Sequence, residues 1–274
     1  GRKAAKCSLD STLSFNVDSV LIEVSAFQYD DADRVTSKTV YACNPDGSRV
    51  GTFREEYGFD ANGTQVMTAV YEWVSASNKW KGTEKTEFAY DGELMIQRID
   101  YAWVNEAWVA DKKYTWKYDD QERVPEYYEY TRDKNTNQLV YSKGRIQEWD
   151  SEDRQILDIQ YTAYSNGAWT AGTKKETTYD ANGNKTEYTY YAGLTNGNWG
   201  ATGSTRELWT YDGSNTKTKY EKYTWSNGWV GSSKEEWGYT DGKQTIYAKY
   251  AWSNGAWVGV SKEEWNYAAG KQTR

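Results

Sequence analysis

The chain has 274 residues, with 33 Lys and Arg against 40 Asp and Glu, a net charge of -7 and no histidine. The acidic balance gives no electrostatic footprint for nucleic acid or an anionic membrane surface, and the lack of histidine removes Ser-His-Asp and Cys-His nucleophile systems and imidazole-ligated metals. Hydrophobic residues make up 38% of the chain and aromatic rings alone 16%, with 15 Trp and 25 Tyr but 5 Phe, so large flat rings must replace branched aliphatics as buried material.

Residues 1–26 read as an N-terminal capping strand segment. Leu13, Phe15 and Val17 alternate with Ser14, Asn16 and Asp18, and Val20, Ile22 and Val24 follow, an aliphatic stretch suited to closing the first edge of a sheet. Val20-Leu21-Ile22 is the longest purely aliphatic run, far short of a membrane-spanning helix. Cys7 and Cys43 are compatible with one disulfide or with two free thiols.

Residues 27–267 are a repeat. A ring followed closely by Asp or a turn recurs at Tyr29, Phe59, Tyr90, Tyr118, Trp149, Tyr179, Tyr211, Tyr239 and Tyr267, about every thirty residues. Midway through each unit lies a second turn between rings, as in Tyr164-Ser165-Asn166-Gly167-Ala168-Trp169 and Trp252-Ser253-Asn254-Gly255-Ala256-Trp257. Asn-Gly and Asp-Gly supply the positive φ angles of tight hairpins. The sequence therefore predicts an all-β fold of tandem β-hairpin repeats. About eight units, or about sixteen strands, should form a long antiparallel meander, a twisted or coiled single sheet. A strict period of two from Trp257 puts Gly259, Ser261, Glu263, Trp265 and Tyr267 on its face and Val258, Val260, Lys262, Glu264 and Asn266 on the other. One face would be aromatic at both strand ends and the other mostly charged. Residues 268–274 read as a C-terminal edge strand or tail.

Tyr179-Asp180-Ala181-Asn182-Gly183-Asn184 and Phe59-Asp60-Ala61-Asn62-Gly63-Thr64 resemble the YD (RHS-type) repeat of bacterial surface and toxin-delivery proteins. The Ser-Asn-Gly-Ala-Trp turns are similar to those of secreted tandem-repeat proteins of Bacteroidetes-type bacteria. This resemblance implies long β-sheets, a secreted, periplasmic or cell-surface location, and no assigned activity; a coiled strip carries over more readily than a closed shell.

No residue is marked as catalytic. Glu55-Glu56, Glu235-Glu236 and Glu263-Glu264 are adjacent in strands and point to opposite faces, so none forms an acid/base pair. Asp30-Asp31-Ala32-Asp33 and Asp180 to Asn184 lack the spacing of a calcium loop and fit plain turns. No metal or cofactor is expected. A transmembrane barrel fails because Lys234, Glu236, Lys262 and Glu264 stand where a lipid-facing band would be. The candidate ligand-binding residues are Trp73, Trp80, Trp103, Trp108, Trp225, Trp229, Trp252 and Trp257, whose rings at the hairpin turns suit stacking on sugars. The expectation is a non-enzymatic adhesin or scaffold whose aromatic rim engages polysaccharide or another surface protein. The alternatives are a purely architectural spacer with buried aromatics, or a glycan hydrolase with an inter-strand carboxylate site, sought first in the irregular stretch 117–148.

Overall fold

The computed structural model describes residues 10–195, 197–268 and 271–273; Cys7 and the question of its pairing lie outside them. The described chain is all strand and turn, with no helix. In chain order the strands are β1 (Ser11–Phe15), β2 (Leu21–Tyr29), β3 (Val35–Cys43), β4 (Arg49–Phe59), β5 (Gln65–Val74), β6 (Lys79–Asp91), β7 (Leu94–Val104), β8 (Ala107–Lys117), β9 (Glu126–Arg132), β10 (Leu139–Trp149) and β11 (Gln155–Ser165). There follow β12 (Ala168–Tyr179), β13 (Lys185–Tyr191), β14 (Leu194–Thr195), β15 (Asn198–Trp199), β16 (Thr205–Tyr211), β17 (Lys217–Trp225), β18 (Trp229–Thr240), β19 (Lys243–Ser253), β20 (Ala256–Glu264), β21 (Asn266–Ala268) and β22 (Lys271–Thr273).

Eighteen strands belong to one antiparallel hairpin meander, against the sixteen or so expected, because β1 and β2 form a further hairpin of the same kind. Two minor hairpins, β14–β15 and β21–β22, stand apart from it. The chain divides into two compact units, residues 1–116 with 129–140 and residues 117–128 with 141–274. In the first, β1 to β8 pair each with the next. In the second the same holds from β10 to β20, except that β13 pairs with β16 across the β14–β15 insertion.

Turn chemistry explains this regularity. At the ring-flanked turns, Asn166 and Gly167 have φ of 51° and 80°, and Asn254 and Gly255 have 53° and 80°, the left-handed pair that a two-residue hairpin requires. At the other end the aspartate closes its own loop. Asp30, Asp119 and Asp150 each accept the backbone N–H groups two and four residues on through one carboxylate oxygen. The second oxygen takes the Nε–H of Arg34, Arg123 or Arg154. Those guanidinium groups then lie 4.7, 4.7 and 4.3 Å from the ring centroids of Phe59, Trp149 and Tyr179, the rings that open the next such turn. The Asp-rich loops are thus occupied by their own backbone and arginine.

The expected single aromatic face is corrected by a bulge. Between β18 and β19, Lys234 lies opposite Tyr250 and Glu236 opposite Ala248, while Glu235 faces Lys249 and Trp237 faces Tyr247. Between β17 and β18, Trp225 faces Trp229 and Tyr223 faces Gly231, but Lys222 then faces Ser233 and leaves Ser232 as an extra residue. That extra residue reverses the alternation. Trp229, Gly231, Lys234 and Glu236 share one face, and Ser233, Glu235 and Trp237 share the other. The equivalent shift follows Gly82 and Gly259. Each face is therefore aromatic at one end only, and at opposite ends. Trp257 does not share a face with Ser261 or Glu263.

The core is thin. Among the described residues the buried apolar side chains are Val24, Ala69, Leu194 and Ala248. Mid-strand the sheet relies instead on cations, carboxylates and phenols.

Candidate functional site

The structure gathers the eight predicted tryptophans into four T-shaped pairs, each within its own hairpin. In the first unit, Trp73 and Trp80 have centroids 5.2 Å apart and Trp103 and Trp108 5.0 Å apart. In the second, Trp225 and Trp229 are 5.1 Å apart and Trp252 and Trp257 5.0 Å apart. All eight are half-buried. These contacts are cross-strand pairs, Trp225–Trp229 at the last rung of its hairpin and the other three at the rung before the last.

Three of the four pairs also lean on the hairpin before them, and a glycine makes the seat. A Cβ added at Gly51 would lie 2.6 Å from Trp80 Cζ2, one at Gly82 2.4 Å from Trp108 Cζ2, and one at Gly231 2.4 Å from Trp252 Cε3. Only a residue without a side chain lets the indoles approach so closely. Tyrosines of the seat then fix the rings: Trp108 Nε1–H donates to the Tyr71 hydroxyl at 3.0 Å and Trp257 Nε1–H to the Tyr223 hydroxyl at 3.2 Å. Tyr71 passes the chain on by donating to Glu56 Oε2 at 3.0 Å.

Next to the seat a cation, a carboxylate and a tyrosine recur. Lys234 bonds Glu236 at 2.8 Å, its Nζ lies 4.4 Å from the Tyr250 ring centroid, and Tyr250 donates to Glu236 at 2.6 Å. Lys85, Glu87 and Tyr101 repeat the arrangement. Burial alone would raise the Glu87 carboxyl, but the hydrogen bonds from Lys85 and Tyr101 outweigh it and hold the group below its ordinary range. These glutamates are structural acceptors.

Sequence reasoning missed several partners. Trp169 was part of a quoted turn but was not singled out; it stacks on Tyr161 at 4.7 Å and meets Tyr141 at 5.4 Å and Tyr164 at 5.1 Å. The glycine seats and the acceptor tyrosines Tyr71 and Tyr223 were also missed, although the recurrence of Gly two residues after a turn tryptophan, as in Gly82, Gly231 and Gly259, was available as a signal.

The acidic alternative finds a group of carboxylates among the described residues. Glu148, Glu176 and Glu187 line a depression of about 350 Å³ in the second unit. Glu176 is held by Lys174 at 2.9 Å and Glu187 by Arg206 at 2.8 Å. The irregular stretch 117–148 contributes turns closed by Asp119 and Asp133 and the ion pair of Arg132 with Asp111 at 3.0 Å.

Phenols give the sheet an alkaline weakness. Burial first, then the Glu55 carboxylate, pushes the Tyr57 hydroxyl up to about 12; burial and Glu207 push Tyr220 up to about 12, and burial with Glu87 raises Tyr101. A folded-state value above the unfolded value of about 10 means that the stabilisation is fully present below pH ~10 and is lost as the pH climbs through about 12. The urea midpoint should therefore be flat at neutral pH and fall steeply above pH ~10. In an ultraviolet titration a subset of tyrosines should ionise only as the chain unfolds. Uniform ionisation near pH ~10 with no loss of stability would contradict this.

No protein-family model matches the chain, and no curated protein matches it. Among solved structures it is similar to a protein of unknown function from Bacteroides fragilis, at 18% identity over 45% of this chain and 91% of that one, with a TM-score of 0.31. It is also similar to a DUF3836 family protein from Bacteroides vulgatus, at 13% identity over 43% of this chain and 89% of that one, TM-score 0.21. A third likeness is to the Tc holotoxin pore of Photorhabdus luminescens, at 10% identity over 90% of this chain but 16% of that one, TM-score 0.29.

Proposed function

We propose that the chain is a non-enzymatic, secreted or surface-attached bacterial repeat protein of the YD (RHS-type) kind, acting as an architectural scaffold. The observation that carries this reading is the glycine seat: three of the four indole pairs pack on a glycine of the neighbouring hairpin, so the rings fasten one repeat to the next. The Tyr-Asp signature has the same sense at the opposite turns, where aspartate closes a loop and its arginine covers the following ring. Carboxylates across the sheet are engaged by Lys, Arg and Tyr, which supports a structural role for them.

A second reading keeps the aromatic rim as a polysaccharide or surface-protein site. It is favoured by the partial exposure of all eight indoles, none of which is fully buried. Iodide quenching and a glycan array separate the two. The scaffold reading expects blue-shifted, weakly quenched tryptophan emission and no glycan retention. Retention that disappears in Trp103→Ala or Trp252→Ala, with the fold intact by circular dichroism, would transfer the function to the rim.

A further inference from the structure

One patch of the sheet is less full than its counterparts in other repeats. In the first unit, Phe27, Val35, Lys38, Tyr57, Phe59 and Gln65 line an open depression of about 320 Å³ near the Asp-led turns. Register finds the same patch in the second unit. Phe27 faces Lys38 and Lys38 faces Glu55, as Trp209 faces Tyr220 and Tyr220 faces Glu235. Tyr29 faces Val35 as Tyr211 faces Lys217. Tyr57 follows Glu55 by two residues, on the same face, as Trp237 follows Glu235.

There the chain fills the patch itself. The Tyr220 ring lies 5.8 Å from Trp209, and Lys217 Nζ lies 4.5 Å from the Trp237 centroid and 6.0 Å from that of Tyr220. The hairpin before it does the same, with Lys185 Nζ 5.4 Å from Tyr188 and 5.8 Å from Trp209. In the first unit a valine replaces that lysine and a lysine replaces that tyrosine. Among the described residues Lys38 forms no ion pair and covers no ring. Its counterpart Arg98, opposite Phe88, is by contrast bonded to Asp100 at 2.8 Å and lies 5.7 Å from the Tyr114 ring. The patch at Lys38 thus keeps its aromatic walls and its carboxylate and lacks the ring between them.

We propose that this depression is a docking pocket for a tyrosine side chain presented by a partner protein, which takes the room that Tyr220 fills in the second unit. Phe27 and Tyr57 offer ring faces, and the Lys38 ammonium offers a cation to the incoming π cloud. Glu55 offers an acceptor for the hydroxyl. The chain already makes that bond with its own residues, since Tyr247 donates to Glu235, the counterpart of Glu55, at 2.9 Å. Glu55 lies beside the Tyr57 hydroxyl and has a second oxygen to give. The opposite charges of Lys38 and Glu55 cancel, so the pocket suits a neutral ring with one polar end.

A chemical-shift titration of the full chain with an N-acetylated, C-amidated Gly-Tyr-Gly peptide tests it. Amide signals of β2 to β4 should move. The Gly-Phe-Gly peptide should bind about fivefold more weakly, because it leaves Glu55 without a donor. Lys38→Tyr puts back the ring that other repeats carry and should weaken binding tenfold or more. Phe27→Ala serves as a second disrupting variant, with circular dichroism confirming the fold of each, and Trp103→Ala, outside the patch, should change nothing. Failure of the tyrosine peptide to move these signals overturns the proposal. So does binding that survives both Lys38→Tyr and Phe27→Ala, binding that is lost in Trp103→Ala, or a pocket that takes p-cresol or glucose and refuses the peptide.

Discussion

Replacing Gly82 with alanine should lower the free energy of unfolding by about 2–3 kcal/mol, while the same change at Gly259 should leave it within about 0.5 kcal/mol. The two glycines occupy the same place in their repeats and differ only in what lies above them. At Gly82 the new methyl would be 2.4 Å from Trp108 Cζ2 and 2.5 Å from Trp103 Cε3. Neither indole can retreat without disturbing its T-shaped partner, so the hairpin must lift. Gly231→Ala should behave like Gly82→Ala, its methyl meeting Trp252 Cε3 at 2.4 Å and Trp257 Cη2 at 2.6 Å. Urea unfolding followed by tryptophan emission reads both effects, since lifted rings also shift to the red. Equal costs at Gly82 and Gly259 would show that backbone propensity, not the seat, governs the position.

Trp108→Ala should cost about 2–3 kcal/mol, below the roughly 3–5 of a fully buried tryptophan because the residue is only partly buried. The substitution removes the edge contact with Trp103 at 5.0 Å, the ring contact with Tyr71 at 5.7 Å and the hydrogen bond to the Tyr71 hydroxyl. Trp108→Phe keeps a ring but leaves that hydroxyl without its donor, so about 1 kcal/mol of the loss should remain. A double-mutant cycle with Tyr71→Phe isolates the shared hydrogen bond. Coupling indistinguishable from zero would mean that the indole N–H prefers solvent and that hairpin-to-hairpin fastening is steric alone.

Much of this architecture was legible in the residues. Asn166-Gly167, Asn254-Gly255 and the Asp-led loops announce hairpins because few residues tolerate their φ angles, and the strands between them follow. The eight tryptophans were legible as pairs, and the structure places them where the turn spacing puts them. The faces were not legible. The bulge after Gly82, Gly231 or Gly259 needs no special φ, so Thr83, Ser232 and Val260 carry no mark, and one uncounted residue moves every later side chain to the other side. Contacts between hairpins escaped for a different reason. Tyr71 lies 37 residues from Trp108, and only the three-dimensional register brings that hydroxyl under that indole.

The strict neighbour-to-neighbour pairing gives the chain an unusual response to load. In the backbone ladder of the described residues each strand pairs with its neighbour in the chain, apart from β13 with β16, so tension applied along the backbone can peel hairpins one at a time. Each unit of about thirty residues would release about 100 Å of contour length on opening. Unloading needs only the local closure of a short loop before the indoles drop back onto their glycine. Pulled at its ends, the protein would lengthen in small, reversible, nearly equal increments, the behaviour of an extensible tether.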